Sequence, residues 1–384
     1  MNPLRQTTTY RVTCLTPVHL GTGARLNHFD GCYEGGRWWR IDLDKVLARG
    51  ANARALAEAM KERDFRWLPW LRQQQYRASE VSSYSVSCPY DPNELPIREG
   101  AKDAYWQPYL PGSSLKGAVR TALLWWLLDQ NDDSCEDFTD FLLDELDSSR
   151  PPESRWLAQS LERELLGVTP NHDLLRALQV TDSVPCAAEQ LYLGETKTYS
   201  LFQQKFVPKR EPREDFRNLV EWLRPQTKLQ LKLSRDEFLL KPEIGTQLGF
   251  NDAQHQALKE LAQVCNAFAL KLLQREQQFY QEYQAPKLAT QCEALQIECT
   301  GLAKGAFLLN LGWAGGWQSK TVGDLVRELL SDESFKRLRR RFELGKHPRK
   351  PIDRYLDMRF PHSRQLATVS DQATPLGWVK LEAL

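Results

Sequence analysis

Apolar and polar residues alternate with period two over Tyr10–Thr16 (YRVTCLT) and Thr227–Leu233 (TKLQLKL). That period predicts half-buried strands. Leu178–Asp182, Gln190–Tyr199 and Ala306–Leu311 read as further strands, and PLGWVKLEAL at the C-terminus reads as a turn and then a strand. Cys32–Asp42 carries Gly35-Gly36 between two short β-like runs, which predicts a hairpin. Helical periodicity dominates elsewhere. Asp44–Lys61 reads as a helix capped by Asp42 or Asp44. Leu115–Leu128 is strongly apolar, Phe138–Leu166 is helical but broken at Pro151-Pro152, and Phe250–Tyr283 and Val322–Leu330 are helical. Asp64–Pro108 mixes aromatics and prolines without a clear period and reads as an insertion. Strands and helices interleave too irregularly for a doubly wound sheet. The expected fold is α+β, built from ferredoxin-like units with glycine-rich loops and large helical insertions. Two strand–glycine-loop–helix units, one in each half, suggest a distant duplication. They divide the chain into an N-terminal domain, 1–235, and a C-terminal domain, 236–384.

Composition narrows the class. A chain of 384 residues, 41% hydrophobic and 26% charged, suits globular folding in two domains, or in one domain with insertions. No apolar core follows MNPLRQTTTY, and the longest apolar run, Ala118–Leu128, includes Arg120 and is too short to span a bilayer. A cytoplasmic location without membrane contact is expected. The eight cysteines, at 14, 32, 88, 135, 186, 265, 292 and 299, form no C-x-x-C pair. They read as reduced and mostly buried, with neither metal nor cofactor implied. The net charge of +1 hides segregation: nine acidic and no basic residues over Asp129–Asp147, and eight basic with one acidic over Lys336–Lys350. A second basic stretch spans Lys205–Arg213. Such blocks suit a protein that meets RNA on one side and protein neighbours on another, and equally suit solvated helical faces.

Three segments carry candidate chemistry. In Tyr109–Arg120 (YLPGSSLKGAVR), Pro111 and Gly112 make a turn, and Ser113 or Ser114 can cap the helix that follows. Lys116 and Arg120, four apart, share a face near the helix N-terminus, a setting that favours phosphate. The opposite face, Leu115, Val119, Ala122, Leu123 and Trp126, would be core. A capped amphipathic helix with two snorkelling cations explains the same residues. In Leu311–Gly323 (LGWAGGWQSKTVG), Gly312, Gly315 and Gly316 would let backbone approach a ligand, with Ser319, Lys320 and Thr321 at a helix start. Aligned on a nucleotide P-loop, both required glycines are replaced, by Ala314 and Ser319, which argues against an NTP hydrolase. An RNA-backbone contact stays open, with Trp313 or Trp317 placed to stack on a base; a tight turn with core tryptophans is the alternative. In Thr16–Gly23 (TPVHLGTG), His19 beside Gly21 and Gly23 suggests a general base or a structural histidine.

Taken together, TPVHLGTG, YLPGSSLKGAVRTAL and the late GWAGGWQSKT resemble the RAMP superfamily of CRISPR–Cas proteins. With PLGWVKL they resemble its type III-A (Csm) effector subunit that caps the backbone at the guide RNA 3′ end. The resemblance implies an RRM-like fold, a bound guide (crRNA), neighbouring RAMP subunits as partners, and a part in guide maturation through protection or recruitment of host nucleases. It implies no catalytic residue in this chain. Ser113, Ser114, Lys116 and Arg120 match the family's glycine–serine RNA-contacting stretch. Gly312, Gly315, Gly316, Ser319 and Lys320 match its glycine-rich loop, and His19 and Gly21 its first-strand loop. Rival expectations are an endoribonuclease using Asp30 (in NHFDG) or His19, and a protein–protein adaptor that never touches RNA.

Overall fold

The alternation at Tyr10–Thr16 and Thr227–Leu233 becomes two neighbouring antiparallel strands, paired Thr9 to Lys232 and Val12 to Leu229. A computed structural model of the chain describes residues 4–92, 95–130, 132–148, 159–209, 217–345 and 351–384. Chain order runs β1 (Arg5–Cys14), β2 (Gly21–Leu26), β3 (Gly31–Glu34), β4 (Arg37–Ile41), α1 (Leu43–Ala48), α2 (Ala53–Ala59), α3 (Trp67–Gln73), β5 (Ser82–Ser87), β6 (Ile97–Gly100), α4 (Gly112–Asp129), α5 (Asp132–Asp147) and α6 (Gln159–Leu166). It continues with β7 (Leu178–Val180), β8 (Leu191–Phe202), β9 (Lys205–Pro208), β10 (Arg217–Leu223), β11 (Lys228–Asp236), α7 (Pro242–Leu248), α8 (Asp252–Lys259), α9 (Leu261–Glu282) and α10 (Pro286–Thr300). Last come β12 (Phe307–Asn310), α11 (Gly316–Lys320), α12 (Gly323–Leu329), α13 (Asp332–Arg341), β13 (Ser363–Val369), β14 (Gln372–Thr374) and β15 (Trp378–Ala383).

The fold is α+β, with two sheets. The first has the order β12-β15-β1-β11-β7 and is antiparallel throughout. The second runs β2-β6-β10-β8-β5-β4-β3, with β9 and the β13–β14 hairpin added on β8. The boundary expected at residue 235 falls at the end of β11, and the first sheet draws strands from both sides of it. Nor is 64–108 an insertion: β5 and β6 lie inside the second sheet. Strand β10 (RNLVEWL) has no alternation to reveal it because its last five residues are all buried. Four of those five are apolar, as a strand covered on both faces needs, and the fifth is the buried Glu221.

Helix α4 packs on β7, α8 and α9 through Leu115, Ala118, Val119, Ala122, Leu123, Leu127 and Leu128. Each fully buried leucine there contributes about 1.5–3 kcal/mol. Trp125 is buried, while Trp126, expected in the core, is only half-buried. The helix expected over 44–61 divides at Gly50, whose φ of +94° favours glycine. Asp42 caps the first half by accepting the Asp44 and Lys45 amides. The stretch expected as one helix over 250–283 breaks at Glu260 into α8 and α9. Six of the eight free cysteines are buried, and Cys135 and Cys186 are half-buried. No helix among the described residues is long and apolar enough to cross a membrane.

The acidic and basic blocks, expected as faces for RNA and protein or as solvated helical faces, touch at one end. Arg337 of α13 pairs with Asp147 of α5, and Arg341 donates to the Ser148 carbonyl. Lys336 and Arg340 pair with Asp357 and Asp353. Arg339 is buried and donates to the carbonyls of Tyr355, Leu356 and Met358. Residues 346–350 and 210–213 of the two basic stretches lie outside the described residues.

Candidate nucleic-acid interface

Three loops distant in sequence meet at one cleft. The first follows β1, the second is the opening turn of α4, and the third follows β12. Backbone hydrogen bonds join the first and third: the Trp313 amide donates to the His19 carbonyl at 2.9 Å. Gly377, just before β15, links both again, donating to Pro17 O and accepting from the Leu311 amide. Gly312 has a φ of +74°, and a Cβ there would stand 2.1 Å from His19 O. Glycine is thus required for chain-to-chain approach, a structural reason for a residue that sequence assigned to ligand contact. The resulting cavity, about 320 Å³, is lined by His19, Gly21, Arg98, Ser114, Gly312 and Trp313 among others.

A buried polar hub supports the cleft. Glu221 of β10 accepts from Tyr84 Oη at 2.8 Å, the Gly100 amide at 2.9 Å and Lys102 Nζ at 2.5 Å. Its own carbonyl is 2.6 Å from His19 Nδ1. A carbonyl can only accept, so Nδ1 carries the proton and Nε2 is left as an acceptor. Desolvation pulls the His19 pKa down to about 4, opposed by the Glu221 carbonyl and assisted by nearby Arg98 and Lys102. At neutral pH the ring is uncharged and a weak base, ill matched to the general-base role.

The other expected residues sort into two further places. Ser113, Lys116 and Arg120 line a neighbouring cavity of about 600 Å³. Neither serine caps α4: Pro111 is the cap residue, and the first amide, Gly112 N, donates to Asp182 Oδ1 at 2.7 Å. Arg120 is committed to Glu162 at 2.5 Å and Asp173 at 2.7 Å, so its charge is matched within the fold. Burial lowers the Lys116 pKa, the effect partly offset by Asp173. Gly315 and Ser319 line a small third cavity with Asn310. A Cβ on Gly315 would stand 2.0 Å from Ser319 Oγ, whereas one on Gly316 would meet open space, although its φ is +68°. Lys320 is exposed as a residue, yet its ammonium turns inward to Asn310 O at 3.4 Å, and desolvation there lowers it to about 8.

Trp317 is packed within the fold, whereas Trp313 is half-buried and lines the cleft. Trp317 lies edge-on to Phe360, with ring centroids 4.9 Å apart, and its ring passes 2.3 Å from where a Cβ on Gly323 would stand. Trp313 packs on the small cluster around Val220 and Trp222 and meets His19 edge-on at 6.0 Å. The Arg98 guanidinium sits 4.5 Å from its ring centroid. Asp30 is likewise engaged: it pairs with Arg40 at 2.8 Å and accepts the Asn27 amide at 2.8 Å, closing the turn before the β3–β4 hairpin. Sequence reasoning missed Arg98, Lys102 and Glu221. The short run IREG between Pro96 and Ala101 was the available signal for β6.

Residues 11–274 match the RAMP superfamily. The chain is similar to a Streptococcus thermophilus protein named CRISPR system Cms protein Csm5, 25% identical over 250 residues, covering 59% of this chain and 64% of that one. A Methanocaldococcus jannaschii protein of the same name is 25% identical over 290 residues, covering 71% of this chain and 62% of the relative. The matches thus span less than two thirds of either relative. Among solved structures, similarity extends to a chain of a Csm–crRNA–target RNA ternary complex from a type III-A CRISPR–Cas system, with a TM-score of 0.71 and 22% identity over 98% of this chain and all of that one. The crystal structure of T. onnurineus Csm5 gives a TM-score of 0.65 at 19% identity, covering 96% and 99% of the two chains. With the profile match running from β1 into α9, the chain belongs to the RAMP superfamily.

Proposed function

We propose that this chain is a structural, RNA-contacting subunit of a type III-A CRISPR ribonucleoprotein, that it caps the protein backbone at the guide RNA 3′ end, and that it acts in guide maturation by shielding that end rather than by cutting. The observation that carries the reading is the convergence of the β1 loop, the first turn of α4 and the glycine loop after β12 on one cleft walled by Arg98. A groove of backbone, small side chains and guanidinium suits contact with a nucleic-acid backbone. The Csm5 names of the relatives support the type III-A assignment. The engagement of Asp30 with Arg40, and the low proton affinity of His19, favour a scaffold over a nuclease.

The test is end-sequencing of guides purified with the complex. Ala24→Glu combined with Ser114→Asp puts two negative charges into the lining of the cleft, at positions that are not buried in the fold. Guides should shift in length at the 3′ end while the 5′ end stays fixed. A wild-type 3′ distribution, with the variant subunit at normal stoichiometry, overturns the capping role. Absence of RNA crosslinks to residues 19–24 and 312–316 in the assembled complex would favour a protein adaptor.

A further inference from the structure

Arg98 reaches the cleft from β6 and lies against the Trp313 ring, 4.5 Å from its centroid. A guanidinium over an aromatic face is attracted by the ring quadrupole and loses some of its freedom to move. One of the Arg98 donors, Nε, is buried and hydrogen-bonds to nothing among the described residues. Arg25 of β2 lies directly across the strand pair from Arg98, and Arg25 is exposed. Desolvation lowers the Arg98 pKa, and Arg25 lowers it further. Arg98 lines the cavity, and the like charge of Arg25 beside it is what an anion there would relieve. Glu99, an acid that lines the same cavity, is engaged within the fold, accepting from Thr22 Oγ1 at 3.1 Å and lying 3.8 Å from Lys102. Ser114, a small hydroxyl residue in the first turn of α4, lines the same cavity.

From this geometry we infer that Arg98, held over the Trp313 ring and flanked by Arg25, is a clamp for a phosphodiester of single-stranded RNA, and that it reads the backbone without reading the base. The inference rests on the RNA-contacting function proposed above and assigns it an anchor. Trp313 holds Arg98 and packs on Val220 and Trp222, so the partner that it carries in the cleft is the guanidinium. Recognition here is therefore independent of sequence, as a subunit that must accept any guide requires. Arg98 acts by direct contact, whereas Trp313 is a positioning residue.

The experiment measures binding of the full-length chain to oligo-uridine and oligo-adenine RNAs of equal length at several salt concentrations. Arg98→Gln should weaken both by about tenfold, the scale of one charge-assisted contact. Each lost contact should flatten the salt dependence by about 0.7 on logarithmic axes for a single strand. Arg25→Gln, at an exposed position, should flatten the slope with an unchanged melting temperature. Arg98→Lys keeps the charge but not the planar fork, and should restore the slope while leaving affinity short of wild type. Trp313→Phe keeps a ring under the guanidinium and should retain most of the affinity. A wild type that binds while Arg98→Gln matches it in affinity and slope overturns the clamp alone. A loss confined to one homopolymer overturns backbone reading, because Arg98 would then contact a base. Failure of the wild-type chain to bind either RNA overturns the clamp together with the function on which it rests.

Discussion

Two residues singled out for ligand contact, Gly312 and Lys320, turn out to serve the fold first. Glycine was legible at 312 as a site of close approach, but the approaching group is His19 O of the same chain. Sequence names the freedom of a glycine, not what uses it. Ala314, one of the two substitutions that spoil the P-loop pattern, adopts a φ of +79° in the same loop, a conformation that costs about 1–2 kcal/mol outside glycine. Lys320 allows a test by pH. Its pKa falls from 10.5 to about 8 because folding desolvates the ammonium. Below about pH 8 both folded and unfolded chains hold the proton, and the desolvation penalty is present in full. Between about 8 and 10.5 the unfolded chain binds more protons, so the contribution of this group to stability rises with pH. Wild type should therefore gain on Lys320→Gln in melting temperature from pH 7 to pH 9.5. Solvent screening at an exposed residue limits the gain to about 1 °C. A difference that stays constant over that range would show that the ammonium is not desolvated.

Among the elements, β8, β11, β15 and the apolar α4 fall close to where the pattern put them, β1 begins five residues earlier than its alternation, and the helix expected over 44–61 is two. The failures share a physical cause. Strand β10 is buried on both faces and shows no alternation, while β6 is four residues long and flanked by proline and charge. Yet these two strands, paired in parallel, support the cleft: β6 supplies Arg98 and Glu99 to its lining, and the Glu221 carbonyl of β10 holds His19. They are joined by the Lys102–Glu221 pair, whose side chains are 2% and 0% exposed. The same lysine also sits 4.5 Å from the Tyr84 ring centroid. Removing one member of a buried pair strands the other without its counter-charge, at about 3–5 kcal/mol. Lys102→Met should approach the lower figure, since Glu221 keeps the Tyr84 hydroxyl and the Gly100 amide. Adding Glu221→Gln should recover part of the loss by removing the orphaned charge. Urea denaturation of the two singles and the double gives the coupling. A single-variant cost under about 1 kcal/mol would mean that the pair is solvated in solution and does not brace the cleft.

For the whole molecule, the sequence suggested two units meeting near residue 235, whereas the first sheet threads them together. Strand β1 lies between β11 and β15, and β15 in turn pairs with β12, so the last strand closes a sheet begun by the first. The joint continues into the cleft. Leu15 N donates to Trp378 O, the Trp378 amide donates to Thr16 Oγ1, and Gly377 ties the β1 loop to the loop after β12. No local pattern could announce this pairing, because it depends on residues more than 360 apart, as in the Thr16–Trp378 bond. The consequence is testable by dissection. A fragment of residues 1–235 would leave one edge of β1 unpaired along Tyr10–Cys14. It would also uncover the buried side chains that β15 and α9 now cover, among them Val12, Cys14 and Leu123. An open edge beside exposed apolar surface favours association over folding. The fragment should therefore be aggregated or lack a cooperative melt, whereas the full chain should unfold in one transition that intrinsic tryptophan fluorescence and far-ultraviolet circular dichroism report at the same temperature. Mixing it with a separately expressed fragment of residues 236–384 should restore the cooperative melt and the RNA affinity together, because the cleft needs the β1 loop from one piece and Gly312 and Trp313 from the other. A fragment of residues 1–235 that melts cooperatively by itself and binds RNA with the salt dependence of the full chain would show that the C-terminal strands are accessory, and that the glycine loop after β12 is not part of the interface.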